Sequence, residues 1–179
     1  AGAGGASADT EKVNPRITVQ LLSFNDYHGH LEATDKPMAA DPSQTPAGGV
    51  EYLSAKLTQL RKKIGDPNSL TVAAGDLIGG STFLSGMFHD EPSIESLNTL
   101  GLDVSSVGNH EFDEGTAELL RMQNGGCHPV AGCYFPDQPY AGANFPYLTA
   151  NVIKKSTGKP LLAATAVRTV NGQKIGFIG

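Results

Sequence analysis

Positive charge is scarce in this sequence: 13 Lys and Arg stand against 18 Asp and Glu, a formal net charge of −5 over 179 residues. Surfaces that bind polynucleotides concentrate Lys and Arg to displace counterions, so the balance excludes a nucleic-acid polymer as the expected partner. A small phosphorylated substrate stays compatible if metal cations bring the positive charge. Long apolar runs are lacking too. Gly, Ser and charged residues interrupt every hydrophobic stretch before it reaches the roughly 20 residues of a bilayer-spanning helix, and no membrane span is expected. Cysteine is limited to Cys127 and Cys133. Their closeness in a Gly- and Pro-rich loop permits a local disulfide in an oxidising compartment. Zinc ligation with His128 has no second Cys or His pair to support it, and two free thiols are the remaining alternative.

The length suffices for one ordinary domain, and there is no internal repeat. Residues 1–15 open on Ala, Gly, Ser and Thr without apolar periodicity and read as a flexible leader. Such a leader suits the remainder of an export signal, so a secreted, periplasmic or cell-surface location is expected.

From Ile17 to Phe24 the residues Ile17, Val19 and Leu21 alternate with Thr18, Gln20 and Leu22, which predicts a strand ending at Asn25-Asp26. A loop rich in Pro, Ala and Asp follows. Val50, Leu53, Leu57, Leu60 and Ile64 then recur at helical spacing, with Arg61, Lys62 and Lys63 in the last turn and Gly65 as the stop. A strand from Leu70 to Ala74 runs into Gly75-Asp76, Ser93 to Leu100 reads as a helix, and a strand from Val104 to Val107 ends at Gly108-Asn109. Glu114 to Gln123 reads as another helix. Strands and helices alternate, which predicts an α/β fold with a mostly parallel sheet, packed helices and right-handed crossovers. Beyond Gly125 the pattern changes to short strand candidates around Leu148 to Ile153, Leu162 to Val170 and Lys174 to Ile178, with Asn171-Gly172 as a hairpin turn between the last two.

Three of these strands end in metal-binding residue types: Asn25-Asp26-Tyr27-His28, Gly75-Asp76, and Gly108-Asn109-His110-Glu111. The carboxyl ends of neighbouring parallel strands converge on one edge of the sheet, where ligands bind. Oxygen donors combined with imidazole suit zinc, manganese or iron. Singly, Asp26 and Asp76 would more often be helix caps or turn residues than ligands. Their order, together with Gly-Asn-His-Glu after an apolar strand, makes the constellation specific. Gly79-Gly80-Ser81 lacks the Lys of a P-loop and reads as a turn that brings backbone close to the site.

Through Phe24-Asn25-Asp26-Tyr27-His28-Gly29-His30, Gly75-Asp76 and Gly108-Asn109-His110-Glu111-Phe112-Asp113 the sequence resembles the calcineurin-like metallophosphoesterases, and within them the 5′-nucleotidase branch. Leu148-Thr149-Ala150-Asn151-Val152 and Lys174-Ile175-Gly176-Phe177-Ile178-Gly179 carry the likeness onward, so that it covers about 16–179. The resemblance implies the N-terminal half of a four-layer α/β/β/α sandwich and two divalent ions, zinc, manganese or iron. Asp26 and His28 would hold one ion, Asp76 both, and Asn109 the second. It implies that His110 and Asp113 are the catalytic pair, His110 donating a hydrogen bond to phosphoryl oxygens and Asp113 fixing its tautomer. The implied reaction is hydrolysis of nucleotide phosphomonoesters, of the 5′-nucleotidase, UDP-sugar hydrolase or 2′,3′-cyclic phosphodiesterase type.

The family pattern also needs a Gly-His-x-His string, and the 179 residues contain none. The expectation is therefore a half-site with an incomplete ligand set, inactive alone, whose open sheet edge pairs with the missing C-terminal half or another chain. A thiosulfohydrolase-like relative and a non-catalytic surface-binding module on the same fold are the alternatives. His30, His89 and His128 match no ligand position, and Tyr27 is expected to pack beside the site without chemistry.

Overall fold

Short apolar strands separated by amphipathic helices bury both faces most easily in a parallel sheet, and that is the arrangement in the computed structural model. It describes residues 16–37, 43, 46–65 and 68–179. The expected leader over 1–15 lies outside them. The chain runs through β1 (Gln20–Phe24), β2 (Ala33–Pro37), β3 (Pro46–Gly48), α1 (Val50–Ile64), β4 (Ser69–Ala73), α2 (Phe83–Gly86), α3 (Glu91–Leu100), β5 (Val104–Ser106), a 3₁₀ turn (His110–Phe112) and α4 (Gly115–Asn124). After these come β6 (Tyr147–Leu148), β7 (Ile153–Lys154), β8 (Lys159–Pro160), β9 (Thr165–Val170) and β10 (Gln173–Ile178). The central sheet has the order β1-β4-β5-β6, all pairs parallel. Phe24 is in register with Ala73, and Ala73 with Ser105. That register brings the ends of β1, β4 and β5 to one edge.

The helices form where the spacing predicts them. Gly65 ends α1 with φ 82°, its N–H bonded to the Arg61 carbonyl. Helix α3 begins at Glu91, ahead of the predicted Ser93, because Pro92 sits in the first turn, where its missing N–H costs nothing. Ile94, Leu97 and Leu100 of α3 and Leu119 and Met122 of α4 are buried together. From the last turn of α1, Arg61 reaches the Thr71 hydroxyl at 2.5 Å and the Leu100 carbonyl at 2.8 Å, which satisfies the C-terminus of α3 and locks two helices to β4. The β9–β10 hairpin turns at Asn171-Gly172, both with positive φ.

Two features differ from the sequence reading. Strands β2 and β3 pair antiparallel where the sequence suggests only a loop, because the pairing there is not accompanied by apolar alternation. In β1 it is Leu22 and Phe24 that pack against the core, while Leu21 is 51 % exposed. The helices cover one face of that strand, and Leu21 points to the other. The local disulfide expected of Cys127 and Cys133 is formed, with their Cα atoms 4.5 Å apart. Of the three states open to this pair, it is the bonded one that the loop adopts.

Candidate metal centre and catalytic pair

The loop after β1 does not leave the sheet at once. The Asp26 N–H bonds to the Gly75 carbonyl and the His28 N–H to the Asp76 carbonyl, each at 3.2 Å, so the first two motifs remain zipped beyond the last strand residues. Asp26, His28 and Asp76 all adopt positive φ, at 54°, 45° and 52°. Such backbone costs about 1–3 kcal/mol per residue and persists only where the surroundings over-determine it. Gly75, at φ 96°, makes the crossing possible: a Cβ there would overlap the backbone of Gly108. A glycine is the residue that lets the β4 and β5 loops touch.

His28, Asp76 and His110 offer ligand atoms that all lie within 4.8 Å of one another. The Gly79 carbonyl, 2.6 Å from His28 Nδ1, can only accept, so the ring carries its proton there and presents the Nε2 lone pair. That nitrogen is 3.7 Å from Asp26 Oδ1, a gap that one cation with ligand bonds of about 2.0–2.2 Å spans. Asp76 Oδ1 accepts the His110 N–H at 3.0 Å, fixing the carboxylate between the first and third motifs. Asn109 precedes the 3₁₀ turn as its cap and is exposed. His110 lies edge-on to His28, the ring centroids 4.9 Å apart.

The second predicted pair is also brought together. Asp113 Oδ2 accepts from His110 Nδ1 at 2.8 Å and from the Gly80 N–H at 3.0 Å. The hydrogen bond to Asp113 raises the His110 pKa above 6.5, and the same bond holds the Asp113 carboxyl below its ordinary 3.8. With Nδ1 committed to Asp113, His110 has Nε2 free for a substrate oxygen. In the metal-free chain the His110 ring is expected to titrate above 6.5 by NMR. Its sign follows from the cause: Asp113→Asn removes the ionic partner and moves the midpoint down, and an added divalent ion moves it down further by repulsion.

Glu111 and Asp90 had no assigned role in the sequence, yet both shape the site. Glu111, 2 % exposed, accepts the N–H groups of Asp76 at 2.9 Å, Leu77 at 2.8 Å and Gly108 at 2.5 Å. Burial pushes its carboxyl up, and those three N–H groups offset part of the rise. Asp90 accepts the Gly79 N–H at 3.0 Å and the Ser85 hydroxyl at 2.6 Å. Neither stands out in the sequence, since Glu111 sits among Asn109, His110 and Asp113 and Asp90 lies between His89 and Glu91. Tyr27 is buried with its hydroxyl 3.0 Å from that of Ser96, away from the metal-binding types. His30 is exposed and gives its N–H to the Tyr27 carbonyl.

No family model matches the chain. Its sequence is 43 % identical over 166 residues to Endonuclease YhcR of Bacillus subtilis, covering 91 % of this chain and 13 % of that protein. It is 41 % identical over 166 residues to an uncharacterised protein of Acinetobacter calcoaceticus, covering 87 % of this chain and 80 % of that protein. The solved structure of Haemophilus influenzae NAD nucleotidase superposes with a TM-score of 0.65 at 30 % identity, over 89 % of this chain and 26 % of that one. The chain belongs to the 5′-nucleotidase family. Within that family it corresponds to the N-terminal, metallophosphoesterase part, and it spans about an eighth of the Bacillus relative and a quarter of the Haemophilus one. No helix among the described residues is long and apolar enough to cross a membrane.

Proposed function

We propose that residues 16–179 supply one face of a metal-dependent phosphomonoesterase site that acts on nucleotides. The observation that carries the reading is the convergence of His28, Asp76 and His110 donor atoms within 4.8 Å, beside an Asp-oriented imidazole. Asp26 and His28 would hold one divalent ion, Asp76 would bridge, and Asn109 would hold the second; zinc, manganese and iron all suit this oxygen and imidazole set. When bound, such ions neutralise phosphate charge and activate water. His110 donates through Nε2 to the phosphoryl oxygens as negative charge grows, and Asp113 keeps the ring in that tautomer. Gly79 and Glu111 hold the ligands in place before substrate arrives. These 179 residues contain no Gly-His-x-His string of the family pattern, and with this ligand set alone weak metal binding is expected. An exported location fits the disulfide.

Identity to a relative named an endonuclease favours a second reading, a phosphodiester substrate. The acidic balance of the chain favours the mononucleotide instead. The test uses the natural gene product stripped with chelator, then titrated with zinc, manganese or iron and assayed on 5′-mononucleotides, a 2′,3′-cyclic nucleotide, a UDP-sugar and single-stranded DNA. Metal-restored release of phosphate from mononucleotides supports the proposal. Turnover that survives chelation, or that is confined to the polymer, overturns it. In the same assay Asp76→Asn is expected to weaken metal retention at least about 10-fold, since it removes charge from a ligand shared by both ions.

A further inference from the structure

Outside the site just described, His89, Glu114 and His128 also bring donor atoms within 4.8 Å of one another. The hydrogen bonds of His128 argue against a metal there. Its Nδ1 accepts the N–H of Val130 at 3.3 Å and of Ala131 at 3.0 Å, so the neutral ring carries its proton on Nε2. That is the nitrogen facing Glu114, at 3.9 Å. Ligation at Nε2 would place a proton on Nδ1, against two backbone donors.

The cluster instead holds Glu114. His89 Nδ1 donates to Glu114 Oε2 at 2.7 Å, and the His128 ring stacks on His89 with centroids 3.8 Å apart and planes within 5°. His128 is itself fixed: its loop is closed by the Cys127–Cys133 disulfide and by reciprocal N–H to carbonyl bonds with Gly132 at 3.1 Å and 2.9 Å. Glu114 directly follows Asp113, and the two side chains help line one cavity of about 130 Å³ together with Gly80, His89 and His110.

His89 and Asp90 are consecutive non-glycine residues in left-handed backbone, at φ 47° and 60°. Strain of this kind survives where several bonds enforce it, and it gathers at functional sites. Here the bonds run both ways. Asp90 holds the Gly79 N–H, whose own carbonyl receives His28 Nδ1–H, and His89 holds Glu114. We propose that the His89–Asp90 turn, braced by the disulfide loop, is the positioning element of the His110–Asp113 pair, its His89 arm fixing the backbone that carries Asp113 through Glu114. The catalytic consequence rests on the function proposed above; the mechanical one does not.

Hydrogen exchange on the chain tests the mechanical part, because the Gly80 N–H is bonded to Asp113 Oδ2 and reports where that carboxylate sits. His89→Ala and Glu114→Ala are expected to speed Gly80 exchange roughly 10-fold, the scale of losing a partner that orients a site residue, with the β4 amides unchanged. Glu114→Gln, which still accepts from His89, keeps the native rate. An unchanged Gly80 rate in both alanine variants overturns the proposal, and so does a uniform loss of protection through β4, which would make these contacts ordinary fold stability. In the natural gene product, both alanine variants are expected to lower kcat roughly 10-fold with KM and metal content unchanged. Glu114→Gln restores it, and His89→Ala adds nothing in an Asp113→Asn background because the two act as one unit. Fully additive losses overturn the coupling. Absence of hydrolysis by the unaltered protein counts against the proposed function, and the exchange result then decides this inference alone.

Discussion

Replacing His110 by asparagine in the natural gene product is expected to lower kcat by about 10²–10³-fold, the usual loss when one preorganised donor to a developing negative charge is removed. KM and bound metal should stay near their native values. The reasoning starts from the ring's two nitrogens. Nδ1 is held by Asp113 at 2.8 Å, which leaves Nε2 for substrate. Asparagine keeps a donor but loses both the reach of the imidazole and the charge that Asp113 stabilises. Because His110 also lies among the donors near His28 and Asp76, metal content measured on the same preparation separates two roles. A fall in kcat at constant metal identifies a group that acts on substrate. Parallel loss of metal and rate makes His110 a ligand and removes it from the chemistry assigned above.

The largest stability effect is expected at Arg121. Its guanidinium is buried between two helices, with Nη1 2.5 Å from Glu91 Oε1 and Nη2 2.6 Å from Glu118 Oε1, and it also reaches the Gly126 carbonyl at 2.9 Å. The side chains of all three ionic partners are about a tenth exposed or less. Burial pulls the Arg121 pKa down, and the bonds to Glu118 and Glu91 more than offset this, so it is raised overall. Arg121→Met leaves two carboxylates buried without a cation. Breaking a buried pair from one side costs about 3–5 kcal/mol, which for a domain of this size lowers the thermal midpoint by on the order of 10 °C. Calorimetry on the chain measures it. Adding Glu91→Gln and Glu118→Gln to Arg121→Met should recover part of the loss, since the penalty comes from the orphaned charges. A destabilisation under about 1 kcal/mol would mean that water reaches the triad and screens it as at a surface.

The placement of much of the candidate site was legible before any coordinates. Asp26, His28, Asp76 and His110 each follow a strand whose apolar pattern is plain, and a parallel sheet has one edge where strand ends meet. The residues that hold those groups were less so. Glu111 sits inside a quoted motif, yet nothing in its spacing says that it accepts three N–H groups from two different loops. Asp90 is further from any motif and reaches Gly79 only because the chain turns through two left-handed residues. Likewise, the β1 alternation predicts a strand correctly but not that Leu22 and Phe24, rather than Leu21, meet the helices.

The sequence by itself determined the alternation of the main strands and helices, the parallel sheet, and the position of the metal-binding residue types at strand ends, while the pairing of His110 with Asp113 was implied by the family resemblance. Each depends on periodicity or on residues close in the chain, and those local terms act wherever the segment is placed. Tertiary structure alone decided which carboxylates are buried, how the His89–Asp90 turn reaches both Gly79 and Glu114, and how the disulfide loop comes to rest on His89. Those outcomes depend on groups far apart in sequence meeting in one volume, where low dielectric and unmet backbone hydrogen bonds set energies that no local pattern encodes.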